Sequence, residues 1–121
     1  MKRFTKDHEW IEVNGTLGRV GITDHAQSEL GDIVYVELPE VGAEFAAGEE
    51  AAVIESVKAA GEVKNPASGK VVAVNEALVD APSLVNDSAE GDGWVYDIEI
   101  ANPAELDALM DEAAYQAFIA G

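Results

Sequence analysis

Lys58 stands among small and apolar neighbours in Glu55-Ser56-Val57-Lys58-Ala59-Ala60. A serine two residues from a lysine raises the chemistry of a nucleophile and its base. That chemistry needs a neutral amine, which takes desolvation or a neighbouring cation. The flanking residues supply neither, and Glu55 favours the ammonium form. Hydrolase or transferase chemistry by the bare chain is not expected. The lysine fits better as the substrate of an acylation. Such a lysine must project and be reachable, and it need not be acidified, because the modifying enzyme activates the acyl group. Its flexible four-carbon stem is a natural root for a long arm. The competing explanation is an edge charge that discourages strand pairing.

Other reactive patterns are weaker. His8-Glu9-Trp10-Ile11-Glu12 matches the zinc-protease pattern at two positions, but ends in Glu12 instead of histidine and reads as a strand. His8 and His25 each follow an aspartate, and nothing in the sequence requires them to converge with a third ligand, so they read as lone surface or capping histidines. Gly15, Gly18 and Gly21 match neither phosphate-cradling loop and read as strand and turn glycines.

The elements around Lys58 read as strands. Ala51–Ile54 and Gly61–Asn65 form a hairpin with Lys58 near its tip, followed by a turn at Pro66-Ala67-Ser68-Gly69. The flanks repeat weakly. Gly42 precedes Gly48-Glu49 at the same offset at which Gly69 precedes Asn75-Glu76, which predicts two like turns with Lys58 at the join between similar halves. Upstream, Trp10–Val13 and Leu17–Ile22 form a first hairpin through Asn14-Gly15. Asp24–Gly31 is a short helix with Asp24 as its cap and Gly31 at its far end. Asp32–Leu38 is apolar on both faces and is placed centrally in a sheet. Lys70–Val74 is a further strand, Asn75–Asp92 reads as loops, and Trp94–Ile100 alternates with its acids outward. Asn102-Pro103 starts a terminal helical segment that Asp111 breaks into two pieces, and Tyr115 and Phe118 pack it on the strands.

Composition narrows the function. The chain suits one domain, residues 1–121, with a hairpin and barrel at about 17–100 and a helical segment at about 102–119. At 48% hydrophobic residues it is too apolar for disorder. Twenty-four acids against seven bases give a net charge of −17, which disfavours nucleic acid and anionic membrane surfaces and suits a basic protein partner. With no cysteine there is no disulfide framework or thiol nucleophile. No secretory signal is visible, and no run approaches the roughly 18 apolar residues of a membrane span. A cytoplasmic setting is expected.

Three runs carry a family resemblance: Gly21-Ile22-Thr23-Asp24-His25-Ala26-Gln27, Leu30 to Pro39, and Glu55-Ser56-Val57-Lys58-Ala59. With His8-Glu9-Trp10, Ser68-Gly69, Asn75-Glu76 and Gly93-Trp94, they make the chain resemble glycine cleavage system H proteins over nearly its whole length. Val57 and Ala59 stand where biotin carriers place methionines, and Val57 where lipoyl domains of 2-oxo acid dehydrogenases usually have Asp. The resemblance implies a mostly β, barrel-sandwich hybrid fold with a short internal helix and a C-terminal helical segment. It implies lipoic acid joined by an amide to Lys58, on a non-catalytic carrier.

The implied partners are a pyridoxal-phosphate glycine decarboxylase, an aminomethyltransferase, a dihydrolipoyl dehydrogenase, and the lipoate ligase or octanoyltransferase that loads Lys58. A carrier that visits several enzymes is best served as a monomer. In the family the loaded arm folds back into a cleft, and Glu9 matches a position implicated there. Asp7, Glu29 and Glu62 stand at positions where the family varies, and the usual Ser-Asp after the lysine region is replaced by Gly61-Glu62. Two other functions compete: a lipoyl relay that supplies lipoate to other enzymes, and an unmodified acidic binding module.

Overall fold

The structure, a computed structural model describing residues 1–121, begins with a short strand β1 (Lys2–Phe4) laid against the hairpin of β2 (Glu9–Asn14) and β3 (Leu17–Ile22). The hairpin turns at Gly15-Thr16, because Asn14 still pairs with Leu17. Only Gly15 has a positive φ, of 65°. The expected Asn-Gly turn is thus shifted by one residue to a glycine-first turn, which needs only one left-handed residue. Trp10 lies against Gly21 on the partner strand, where a Cβ would sit 2.9 Å from the indole. Its Nε1–H donates to Ile22 O at 2.9 Å and to Ala89 O at 3.0 Å, tying the hairpin to the loop after residue 88.

Helix α1 (Asp24–Leu30) follows. Its cap is Thr23, not Asp24: Thr23 keeps extended backbone and its Oγ1 accepts from Ala26 N, while Asp24 is already helical. Gly31, at φ 83°, closes the far end as expected. Strand β4 (Ile33–Glu37) pairs only with β6 (Glu50–Ser56), which pairs in turn with β7 (Ala60–Lys64). β4 is therefore an edge strand and not a central one. Ile33 and Val36 point into the core, while Val34 and Tyr35 are about half exposed beside a register shift.

The larger sheet is completed by β5 (Glu44–Phe45), β8 (Gly69–Val74) and β9 (Tyr96–Ile100), in the order β1-β2-β3-β9-β8-β5. It begins earlier in the chain than residue 17. Ile11, Val20, Val71 and Ile98 from this sheet meet Ile33, Val36, Ile54 and Val63 from the smaller one in a single core. That face-to-face burial is the main driving force for the fold.

The two like turns are not found. Gly42 and Gly48 have positive φ, but Gly69 and Asn75 do not. Gly69 serves close approach instead: a Cβ there would sit 2.5 Å from the Glu99 carbonyl oxygen. Asn75 is buried, and its amide donates to Asp92 O and Trp94 O. The stretch read as loops carries two single-turn helices, α2 (Ala77–Asp80) and α3 (Leu84–Asp87), which bury Leu78 and Val85. After β9 come a 3-10 helix (Pro103–Ala108) capped by Asn102 and helix α4 (Glu112–Ala120) capped by Asp111, so the break falls where expected. Tyr115 is buried against Phe4 and Trp10, while Phe118 stays 43% exposed.

Gly69→Ala forces a methyl group against backbone that cannot swing aside. It is expected to lower stability by about 1–3 kcal/mol, read as a shift of the urea midpoint at constant slope.

Candidate functional site

Lys58 occupies the tip of the β6–β7 hairpin, in the two-residue turn Val57-Lys58. Ser56 builds this turn. Its N–H donates to Ala59 O at 2.7 Å, and its Oγ accepts from the N–H groups of Lys58 and Ala59 at 3.2 and 3.0 Å. The hydroxyl is thus committed to backbone, which removes it as a nucleophile. Val57 N donates to Asp32 O at 3.0 Å and moors the tip to the chain entering β4. The Lys58 ammonium enters none of the ion pairs of the structure. Its stem crosses Gly31, where a Cβ would lie 3.3 Å from Lys58 Cε. Gly31 therefore both ends α1 and leaves room for the stem.

Asn86, in a stretch that reads as loops, completes this support. Its Nδ2 donates to Gly31 O and to Gln27 Oε1, and its Oδ1 accepts from Ile33 N. One amide thereby joins α1 to β4 beneath the lysine. As a lone Asn between turn residues it gave no signal in the sequence.

Beside the lysine end opens a cleft of about 290 Å³. Asp7, Glu9, Glu29 and Glu62 line it, together with the apolar side chains of Ile22, Leu30, Ile54 and Val63. The four acids singled out from the sequence thus converge, although they come from three different parts of the chain: the stretch of Asp7 and Glu9, helix α1 with Glu29, and strand β7 with Glu62. Such a lining favours a cationic group at the end of an apolar chain.

Glu9 is the buried member, 2% exposed. Thr5 Oγ1 donates to Glu9 Oε1 at 2.6 Å and accepts from the Glu9 N–H at 3.1 Å, while Lys64 N–H reaches Glu9 Oε2 at a long 3.4 Å. Burial raises its pKa to about 7 against the pull of the Thr5 hydrogen bond, with Asp7 adding to the rise. Nearby, burial and then the Glu9 charge push the Tyr96 phenol upward, so it stays protonated and donates to Asn65 Oδ1 at 3.0 Å.

The histidines are not lone. The His8 and His25 rings lie 4.7 Å apart, His25 Nε2 pairs with Glu29 at 2.7 Å, and His8 Nδ1 meets Tyr115 OH at 2.8 Å. The pairing of Glu9 with Ile22 across β2 and β3 brings them together. No group of three or more histidine and acidic side chains forms a metal site, and the near-match to a zinc-protease pattern runs into strand β2.

A small two-sheet β fold that presents a lysine on a hairpin tip, with an acid-lined cleft nearby, is the class this fold and site define. The family described as glycine cleavage H-protein matches residues 2–121. The glycine cleavage system H protein of Paramagnetospirillum magneticum is 59% identical over 118 residues, 98% of this chain and 94% of that protein. That of Beijerinckia indica is 61% identical over 117 residues, covering 97% and 94%. A crystal structure of a glycine cleavage system H protein from Mycobacterium marinum superposes with a TM-score of 0.91 at 36% identity, covering 99% of this chain and 97% of that one. The chain belongs to the glycine cleavage H-protein family, the lipoyl carriers of the glycine cleavage system, and has its barrel-sandwich fold.

The Glu9 environment makes stability depend on pH. In the unfolded chain this carboxyl loses its proton near 4.5, but in the folded protein it holds it until about 7. The folded state therefore binds more protons in that interval, and stability falls as pH rises from 4.5 to 7. Glu9→Gln is expected to match the parent at pH 4 and to exceed it by roughly 2–3 kcal/mol at pH 8. Thermal melts of both proteins across that range check it.

Proposed function

We propose that Lys58 is the residue that carries lipoate, through an amide at its Nζ, and that the adjoining cleft receives the cationic end of the loaded arm. The observation that carries this reading is a lysine that enters no ion pair, on a turn closed by Ser56 and Ala59, with its stem against Gly31, the residue after Leu30 of the carboxylate-lined cleft. Attachment forms the Nζ–acyl carbon bond as the leaving group of an activated lipoyl or octanoyl donor departs and Nζ gives up its proton. A lipoate ligase or octanoyltransferase supplies that donor. Lipoate supplies the sulfur pair that carries the aminomethyl group of glycine from a pyridoxal-phosphate decarboxylase to an aminomethyltransferase, before a dihydrolipoyl dehydrogenase restores it.

The chain contributes position and field and does no bond-making of its own. The mooring of Val57 to Asp32 keeps the root of the arm at a fixed place relative to the cleft. Tethering replaces encounters with free cofactor by a high effective concentration at each enzyme. Amide formation also removes the lysine charge, which eases passage of the arm along Leu30 and Ile54. Inside, Asp7, Glu29 and Glu62 favour an ammonium group over the neutral amine, and its arrival draws Glu9 into the ionised form. A monomer in the cytoplasm, visiting each enzyme in turn, completes this reading.

Lys58→Ala is expected to abolish the lipoyl mass gain seen when the parent is produced with a lipoate ligase. Intact-mass spectrometry reads the outcome, and a gain that persists in the variant overturns the site. The lipoylated parent is also expected to stimulate glycine–bicarbonate exchange by the purified decarboxylase. Lipoylation without stimulation would mark a lipoate relay instead, and a bare Lys58 in protein from its own host an unmodified binding module.

A further inference from the structure

His8 has a φ of 69°, the one non-glycine residue of the chain in the left-handed region. For a residue with a Cβ this backbone is strained and persists only where its surroundings enforce it. It also performs a specific task. The turn from Thr5 closes through His8 N–H to Thr5 O at 3.2 Å, and reversing the chain at His8 is what turns Glu9 into the protein beneath Asp7.

The enforcing contacts come from far along the chain. Thr23 N–H donates to His8 O at 2.9 Å, and Tyr115 OH meets His8 Nδ1 at 2.8 Å. The same phenol oxygen lies 2.7 Å from Thr23 Oγ1, the hydroxyl that caps α1. α1 carries Ala26, Glu29 and Leu30 into one side of the cleft, and the chain through Asp7, His8 and Glu9 forms the other. Both walls therefore meet at a single buried oxygen, while Tyr115 lines no part of the cleft itself. Its ring is held separately, stacked on Phe4 with centroids 4.6 Å apart and planes within 9°.

We propose that Tyr115 of the terminal helix α4 is a positioning residue for the cleft: its phenol oxygen holds His8 in the left-handed conformation and locks the turn bearing Asp7 and Glu9 to the start of α1. This rests on the reading of the cleft as the seat of the loaded arm, but the bracing itself does not depend on Lys58 being modified. Tyr115→Phe removes both hydrogen bonds and keeps the stack on Phe4, so the fold is expected to survive. The loosened turn then admits water to Glu9 and relieves the burial that keeps its proton on.

The test is a carbon-13 NMR titration of the Glu9 carboxyl in the unmodified protein, where Thr5 hydrogen-bonds it and Asp7, Lys64, Tyr96 and Tyr115 are the titratable groups that interact with it. In Tyr115→Phe the midpoint is expected to fall from about 7 toward the ordinary carboxylate value of 4.5. His8→Ala keeps the left-handed demand and loses the imidazole contact, so it is expected to do the same, and it carries the measurement if the tyrosine variant does not fold. Adding His8→Asn to Tyr115→Phe is expected to restore the parent midpoint, because Asn adopts left-handed backbone readily. In the lipoylated protein loaded with the aminomethyl group, Tyr115→Phe is expected to shorten the lifetime of the load about fivefold, because the loosened turn admits water to the cleft. Acylation of Lys58 by the ligase is expected to proceed at the parent rate. Unchanged Glu9 midpoints in both single variants overturn the proposal, whatever the state of Lys58. Lowered midpoints with an unchanged lifetime support the bracing and overturn its role in holding the arm.

Discussion

A carboxyl group kept out of water is the constraint to which much of this structure answers. Removing a carboxylate from solvent without full hydrogen bonding is costly, and the ordinary response is to keep the proton. Glu9 has one short bond from Thr5 and one long one from Lys64, too few to hold a full charge cheaply. Its surroundings are correspondingly stiff. Trp10, the next residue, is pinned by two carbonyls, and Glu9 itself sits in register opposite Ile22. A carboxyl poised this way changes its ionisation when a cation enters the cleft, which a fully solvated acid does not do.

The lysine end follows the opposite design. Around Lys58 the side chains are exposed and small, and order comes from backbone and from one serine hydroxyl. A turn held in this way keeps the root of an arm fixed while leaving its length free. The two regimes join at α1 and β4, where Asn86 fastens Gly31 to Ile33 and the lysine stem passes over a glycine with no side chain to obstruct it. Rigid cleft and free arm are thus separated by a few residues whose geometry is over-determined.

The parts of this arrangement that rest on local chemistry were legible in the sequence. A β-capable run on either side of small residues places Lys58 on a tip, and Asn102, Pro103 and Asp111 mark the terminal helical pieces correctly. The family resemblance supplied the acids of the cleft, which no local pattern connects. The errors share one cause: residue type permits more than one neighbour to do a job. Thr23 and Asp24 are both good caps, and the extended backbone of Thr23 decides between them. β4 is apolar on both faces, and only the pairing pattern shows that one edge is free. Helices of four residues, such as α2 and α3, are too short to display a period. Asn65, read as the end of the second hairpin run, is buried, with its amide donating to Ala67 O and its Oδ1 accepting from the phenol of Tyr96. The meeting of His8, His25 and Tyr115 is set by strand register and the return of the terminal helix, neither of which leaves a local trace.

The distribution of charge completes the account. Of the seven basic side chains, none lies between Arg19 and Lys58 and none follows Lys70. Arg19 is spent on Asp97, which it grips through two nitrogens while stacking on Trp94, and Lys2 on Glu90. On the attachment proposed above, acylation of Lys58 removes the positive charge at the tip, close to Glu55 and Asp32. The field at that end is more negative after modification than before, and it acts over about a Debye length, roughly 8 Å at physiological salt. A partner with a basic entrance is therefore drawn more strongly to the modified form, just where the arm emerges. On that reading the acids proposed to hold a cation inside the cleft also favour, outside it, encounters that the modified chain can use.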